Sequence, residues 1–208
     1  HIFPLEQLQT LSRKIHAAGA KLAVNCTRFF MEEELPRLRE FLALLKDVQA
    51  DTIYFADEGV LYEAAQLGLQ ERLVYQPDTL VTNSADVRFY REQGCKGVAA
   101  AREITLEEIC AIAAHSSGLE LLVHGRFSIM HSRRQLLRCY FDFLQRPDME
   151  VQGRRDLFLR EETRAARMPV FEDESGTHVF SEYTLQSFAQ IETLIRCGAQ
   201  RFRIDSIF

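Results

Sequence analysis

No run of apolar residues in this 208-residue chain approaches the roughly 20 that a bilayer-spanning helix needs, so no membrane partner is expected. No Cys-x-x-Cys pair occurs among the five cysteines, Cys26, Cys95, Cys110, Cys139 and Cys197. Odd in number and scattered, they read as reduced thiols of a cytoplasmic protein, each behaving as a small buried hydrophobe. No Gly-x-Gly-x-x-Gly follows the first apolar strand, which leaves dinucleotide binding unsupported. There is no His-Glu-x-x-His for zinc and no Gly-x-Ser-x-Gly elbow for a serine nucleophile, and no metal site is expected. The chain opens on His1 rather than Met and reads as an excerpt of a longer one.

Lysine is absent between Arg126 and Arg167, where ten arginines and only six acidic residues give a net +4. The remainder carries 15 basic and 24 acidic residues, so a basic island sits on an acidic body of net charge −9. An island of that sign suits an anionic partner. Its arginine-only character favours planar, two-pronged recognition of phosphate or carboxylate. The competing reading is a solvated loop whose arginines pair with its own acids.

What is present in quantity is a repeated alternation: an amphipathic helix, a Gly-containing turn, then a few apolar β-formers. Helical spacing runs over Leu5–Ala18, Glu32–Val48, Gly59–Leu67, Ser84–Gln93, Thr105–Ala114 and Leu185–Cys197. The strands that follow are Lys21–Asn25, Thr52–Ala56, Arg72–Gln76, Gly97–Ala101, Leu119–His124 and Gln200–Asp205. Short, continuous apolar strands alternating with helices imply a parallel sheet covered on both faces. The expected fold is α/β, an incomplete (β/α)8 TIM-type barrel forming a single domain over 1–208, in preference to an open doubly wound sheet. The rhythm fails once. About sixty residues separate His124 from Leu185, too many for a plain connection. This stretch holds a helical piece at Arg133–Leu144 and a hairpin signal at Met168–Ser181, turning at Ser175-Gly176. Leaving from the C-terminal end of a strand, the excursion 126–184 is expected to lie over the rim where barrels keep their active sites.

Strand ends at such a rim read Asn25, Asp57, Gln76, Arg102, His124 and Asp205, with Glu58, Asn83 and Glu103 beside them. Asp57 and Asn83 also suit helix N-caps. Arg102, ending a small Val-Ala-Ala strand, suits a ligand carboxylate or phosphate. His124 and His131 can trade protons near neutral pH, though lone histidines are more often structural.

The run Val123-His-Gly-Arg-Phe-Ser-Ile-Met-His-Ser-Arg-Arg-Gln-Leu-Leu-Arg-Cys-Tyr-Phe141 resembles the collagenase-like peptidases of family U32. Pro169-Val-Phe-Glu-Asp-Glu-Ser-Gly-Thr-His178 is similar to that family's hairpin block. Ala99-Ala-Ala-Arg-Glu-Ile-Thr105 and the Gly198-Ala199…Ile204-Asp205 ending fit as well. The resemblance implies a barrel fold and a chemistry that differs between branches: proteolysis, quinone hydroxylation, or prephenate-dependent hydroxylation of the tRNA wobble uridine. This short, arginine-rich form looks most like the tRNA branch of Gram-positive bacteria. Many relatives place cysteines for an iron–sulfur cluster where this chain has Ser128 and Gln135, so no such cluster is expected here.

Three functions follow from the resemblance. In an RNA-modifying protein, Arg126, Arg133 and Arg134 would contact tRNA phosphate or prephenate carboxylates. Arg102 would clamp the small acid, with Asn25, Asp57, Ser132 and Asp205 as further ligand contacts and His124 or His131 moving protons. A peptidase would lean on His124 or Glu172, but shows no activated nucleophile or metal-bound water. A non-catalytic binding subunit would work beside a paralogue or as a homodimer.

Overall fold

Helix and strand alternate through the first half of the chain because each amphipathic helix has a buried strand to cover. The computed structural model describes residues 5–163 and 165–205. Contacts divide them into two compact units, one running to Leu121 and including Thr193–Arg201, the other comprising Leu122–Glu192 and the segment from Phe202.

The first unit contains α1 (Leu5–Ala17), β1 (Ala23–Cys26), α2 (Leu35–Asp47), β2 (Thr52–Phe55) and α3 (Glu58–Gln66). It continues with β3 (Leu73–Tyr75), α4 (Ser84–Glu92), β4 (Gly97–Ala99), α5 (Leu106–His115) and the start of β5 (Leu119–Gly125). Neighbouring strands from β1 to β5 pair in parallel in chain order. The result is an α/β fold whose curled parallel sheet makes a half-barrel. Leu38, Leu42 and Leu45 recur at helical spacing on α2 and are all buried. Ile53, Phe55, Leu73 and Val74 supply fully buried strand positions. Aromatic rings tie β2, β3 and α4 together, with Phe55 5.3 Å from Tyr75 and Tyr75 stacked at 3.8 Å on Tyr90.

Helix starts are set by local chemistry. Thr105 and Glu108 form a capping box on α5. Asp57 and Asn83 cap α3 and α4, accepting from Gly59 N and from Ala85 N and Asp86 N. Each supplies an acceptor that the first turn of a helix lacks.

The second unit holds the rest of β5, then β6 (Ser128–Ser132), α6 (Leu136–Phe143), β7 (Leu157–Arg160), β8 (Arg167–Asp173), β9 (Gly176–Phe180) and β10 (Leu185–Gln186). After α7 (Ile191–Arg196), β11 (Arg201–Ile204) pairs with β5. Strands β6, β9, β8 and β7 make a separate antiparallel sheet in that order.

Two expectations are corrected. The helix expected over Leu185–Cys197 is confined to Ile191–Arg196, and Leu185-Gln186 instead pair antiparallel with Gly125 and His124. The reason is backbone accounting: a buried strand edge needs partners for its polar groups, and Ser187 N completes the docking by donating to Val123 O at 2.8 Å. The sheet is therefore not wholly parallel. The cysteines are not all reduced thiols either. Cys110 and Cys197, 87 residues apart, are joined by a disulfide, leaving Cys26, Cys95 and Cys139 free. Distance along the chain does not report that proximity.

A hydrogen bond closes α1 onto the turn before β2. His16 Nε2 lies 2.8 Å from Asp51 Oδ2, which also accepts from Leu22 N at 2.8 Å. The hydrogen bond to His16, followed by that from Leu22, holds the Asp51 carboxyl below its ordinary range. A depressed carboxylate stabilises the fold above its unfolded pKa, and that contribution is lost as the pH falls through the folded value. Acidification from about pH 5 to about pH 3 should lower the unfolding midpoint of the parent more than that of Asp51→Asn, as read by circular dichroism melts; parallel losses would show that the pair contributes nothing.

Candidate functional site

In the first unit most of the polar residues beyond the strands already have structural partners. Asp57 accepts from Gly59 N through Oδ1 and from Phe30 N through Oδ2, both at 2.8 Å. Arg102 Nη2 lies 2.6 Å from Asp78 Oδ1, and the arginine side chain is only 6% exposed. Asp78 in turn is 3.4 Å from Gln76 Nε2, leaving Gln76 Oε1 buried with no hydrogen-bond partner among the described residues. The Arg102 guanidinium is thus held in place by a carboxylate. Asn25 stands exposed one residue before the end of β1. Burial pushes the Cys26 thiol up to about 12 and the Cys95 thiol up to about 11, so both are poor sources of thiolate.

In the second unit His124 and Asp205 come together. Asp205 N donates to His124 O at 2.8 Å. Gly125 between them has φ 133°, and a Cβ there would sit 2.4 Å from Asp205 O, which explains the His-Gly spelling. The His124 ring stacks on Phe188 at 5.2 Å, and its Nδ1 is buried with no hydrogen-bond partner among the described residues. Arg126 straps the next segment by donating from Nη1 to Ser181 O at 2.6 Å.

Register sorts the side chains of the antiparallel sheet onto two faces. Ser132 opposes Thr177, and Thr177 opposes Glu172. This row faces the start of α6. Glu172, 1% exposed, accepts from Leu137 N at 2.8 Å through Oε2 and from Arg138 N at 3.1 Å through Oε1. The Thr177 hydroxyl lies 2.5 Å from Glu172 Oε2 and accepts from Leu136 N at 2.9 Å. Three donors that a helix start cannot satisfy internally are thereby met, two by a carboxylate at the positive end of the helix dipole and one by the Thr177 hydroxyl. Ser132 Oγ accepts from Arg134 N at 3.2 Å, so Ser132, Arg133, Arg134 and Glu172 belong to one lattice. Gly176 completes it: its φ is 128°, and a Cβ would lie 2.0 Å from Ser132 O.

The opposite face carries Phe158 and Arg160, Arg167, Pro169 and Phe171, His178, and His131 in register. His131 stacks on His178 at 4.5 Å, and Arg155 lies over the Phe171 ring at 5.9 Å. Ser175 Oγ is 2.6 Å from Asp173 Oδ1 and 3.1 Å from His178 Nε2. A hydrolytic triad needs the carboxylate on the far nitrogen of the imidazole from the serine. Here Asp173 receives both the amide and the hydroxyl of Ser175, which is the chemistry of a turn.

The arginine island divides. Arg138, Arg146 and Arg154 pair with Asp142, Asp148 and Asp156, as a self-neutralising surface would. Arg134, Arg160 and Arg167 are exposed, without an ion pair among the described residues. Sequence reasoning does not single out Asp78, Thr177 or Phe158; the alternation Phe158-x-Arg160 and Arg167-x-Pro169-x-Phe171 is the available signal. Among the described residues no three His, Cys, Asp or Glu side chains converge as a metal-binding group, and no helix is long and apolar enough to cross a membrane.

Comparison with known proteins adds the following. A family model described as peptidase family U32 matches residues 1–208. The chain is 29% identical over 196 residues to the tRNA hydroxylation protein P2 of Bacillus subtilis, covering 92% of this chain and 63% of that protein. It is 24% identical over 250 residues to the tRNA hydroxylation protein P of Escherichia coli, covering 98% and 54%. It is 23% identical over 208 residues to the protein of that name from Helicobacter pylori J99, covering 95% and 48%. The chain thus spans from about half to just under two thirds of these relatives. No solved structure matches it.

Removing the Glu172 carboxylate leaves buried N–H groups unpaired. Glu172→Ala should cost about 2 to 4 kcal/mol in urea unfolding, with Glu172→Gln recovering part of it; a loss below about 0.5 kcal/mol would show that the clasp does not hold α6.

Proposed function

The chain belongs to peptidase family U32, and from that premise we propose that it acts in tRNA modification, as hydroxylation of the wobble uridine with prephenate as co-substrate. The observation that carries this reading is similarity along more than nine tenths of the chain to relatives named for tRNA hydroxylation. The unpaired, exposed arginines of the island agree with it, because planar guanidinium groups suit phosphate.

On that reading the candidate residues take the following roles. Arg133 and Arg134, held at the turn between β6 and α6, contact tRNA phosphate, as does Arg126 between β5 and β6. Arg102, paired with Asp78, is assigned to the carboxylate of the small acid, with Asn25 and Asp57 as polar candidates in the same unit; Ser132 and Asp205 are polar candidates in the second unit. His124 is the proton-handling group, since its buried Nδ1 has a lone pair or proton to exchange. His131 is a second such group on the antiparallel sheet. Glu172 positions the loop between β6 and α6 instead of touching substrate. In the full-length protein the half-barrel is completed to a (β/α)8 barrel, and the setting is the cytoplasm.

The iron–sulfur cluster that relatives hold does not fit these residues. Ser128 and Gln135 offer a hydroxyl and an amide in place of thiolates, and Cys139 alone is exposed. That substitution favours a second reading, in which this chain binds tRNA and the small acid for a paralogous subunit.

Nucleoside mass spectrometry on cells lacking the gene tests the first reading. The hydroxylated wobble uridine should disappear, return with the parent gene, and return to roughly a tenth or less with Arg133→Ala/Arg134→Ala if both contact phosphate. A nucleoside profile indifferent to the gene contradicts it.

A further inference from the structure

Arg160 and Arg167 sit directly opposite each other across the β7–β8 pair. Side chains so placed have Cβ atoms about 5 Å apart, and like charges there repel. Both residues are exposed, and among the described residues neither has a carboxylate partner. Two places along on the same face, Phe158 opposes Pro169 and is 49% exposed. The face continues through Phe171, His178 and His131, whose rings follow one another at 6.3 and 4.5 Å. The Glu172 clasp and α6 take up part of the other face of this sheet, while Phe158, Arg160 and Arg167 are exposed on this one.

We propose that this face is a platform for single-stranded RNA, with Phe158, Phe171 and His178 stacking unpaired bases and Arg160 and Arg167 gripping the backbone phosphates between them. The inference rests on the RNA reading above and names the part of the chain that meets unpaired nucleotides. Charge and shape select the occupant. A phosphate placed between the two guanidinium groups relieves their repulsion and accepts from both. Flat rings spaced along a strand pair suit bases, which all have a π-face, and a four-stranded sheet bearing aromatic side chains can hold two or three of them. A duplex hides its bases and gains only from the arginines.

The test uses the full-length protein and two fluorescein-labelled probes, a uridine-rich single-stranded RNA 12-mer and an RNA duplex of the same length, followed by anisotropy over a range of salt. The parent should prefer the single strand. Arg160→Ala/Arg167→Ala should weaken single-strand binding by roughly tenfold or more and flatten the salt dependence of log K by about 1.4, for two lost phosphate contacts. Phe158→Ala should weaken it roughly fivefold or more with the salt slope unchanged, and Arg160→Lys/Arg167→Lys should keep the slope. All three positions are exposed, and unchanged melting of the variants verifies the fold. Parent-like affinity and slope in the double alanine variant overturns the platform. So does a change in oligomeric state with RNA binding intact, because the face would then belong to a second copy. If the variants lose RNA binding while the nucleoside profile of cells ignores the gene, the platform stands and the wobble-uridine reading falls.

Discussion

A buried carboxylate at the start of α6 is the constraint on which the second unit depends. An acidic side chain 1% exposed is tolerated only when its oxygens are matched by donors. Glu172 has Leu137 N, Arg138 N and the Thr177 hydroxyl. Those bonds fix where α6 begins, and α6 has no buried residue of its own to fix it otherwise. They also fix the path of Ser132-Arg133-Arg134, because Thr177 lies 2.8 Å from the Arg134 carbonyl and Gly176 leaves no room for a side chain beside Ser132 O. The arginines of that turn are presented by backbone that cannot easily move.

The clasp lies on one face of the antiparallel sheet, and Phe158, Arg160 and Arg167 stand exposed on the other. The division explains why the island's arginines differ in kind. Those near acids in sequence neutralise one another at distances of 2.5 to 3.4 Å. Such exposed pairs add little stability, and they remove the island's charge where no ligand is needed. What remains positive is concentrated at Arg134, Arg160 and Arg167. Net charge of a segment is therefore a poor guide to its electrostatics; the placement of its acids decides which cations remain available.

Much of the first unit is legible in the sequence, because helix and strand there are set by local periodicity and by turns whose geometry demands Gly or a cap. Asp57 and Asn83, readable as caps from type alone, are caps in the fold. Long-range pairing is not legible in the same way. Leu185-Gln186 carry a helical pattern and yet join a strand edge, since hydrogen-bonding that edge outweighs two residues of propensity. Cys110 and Cys197 meet only because the fold returns. Among the candidate site residues, strand order does bring two of them together, as Asp205 N donates to His124 O. The partner that defines each role lies elsewhere: Asp78 for Arg102, Phe188 for His124, Leu137 and Arg138 for Glu172. A side chain's type can be read from sequence, but its remaining valence cannot.

The most direct test of the account is to irradiate the full-length protein bound to tRNA and map the RNA-linked peptides by mass spectrometry. The account predicts crosslinks on the segments holding Phe158, Phe171 and His178, together with the Arg133-Arg134 turn. Crosslinks confined to the parallel-sheet unit, or a protein that gives none while binding tRNA, would contradict it.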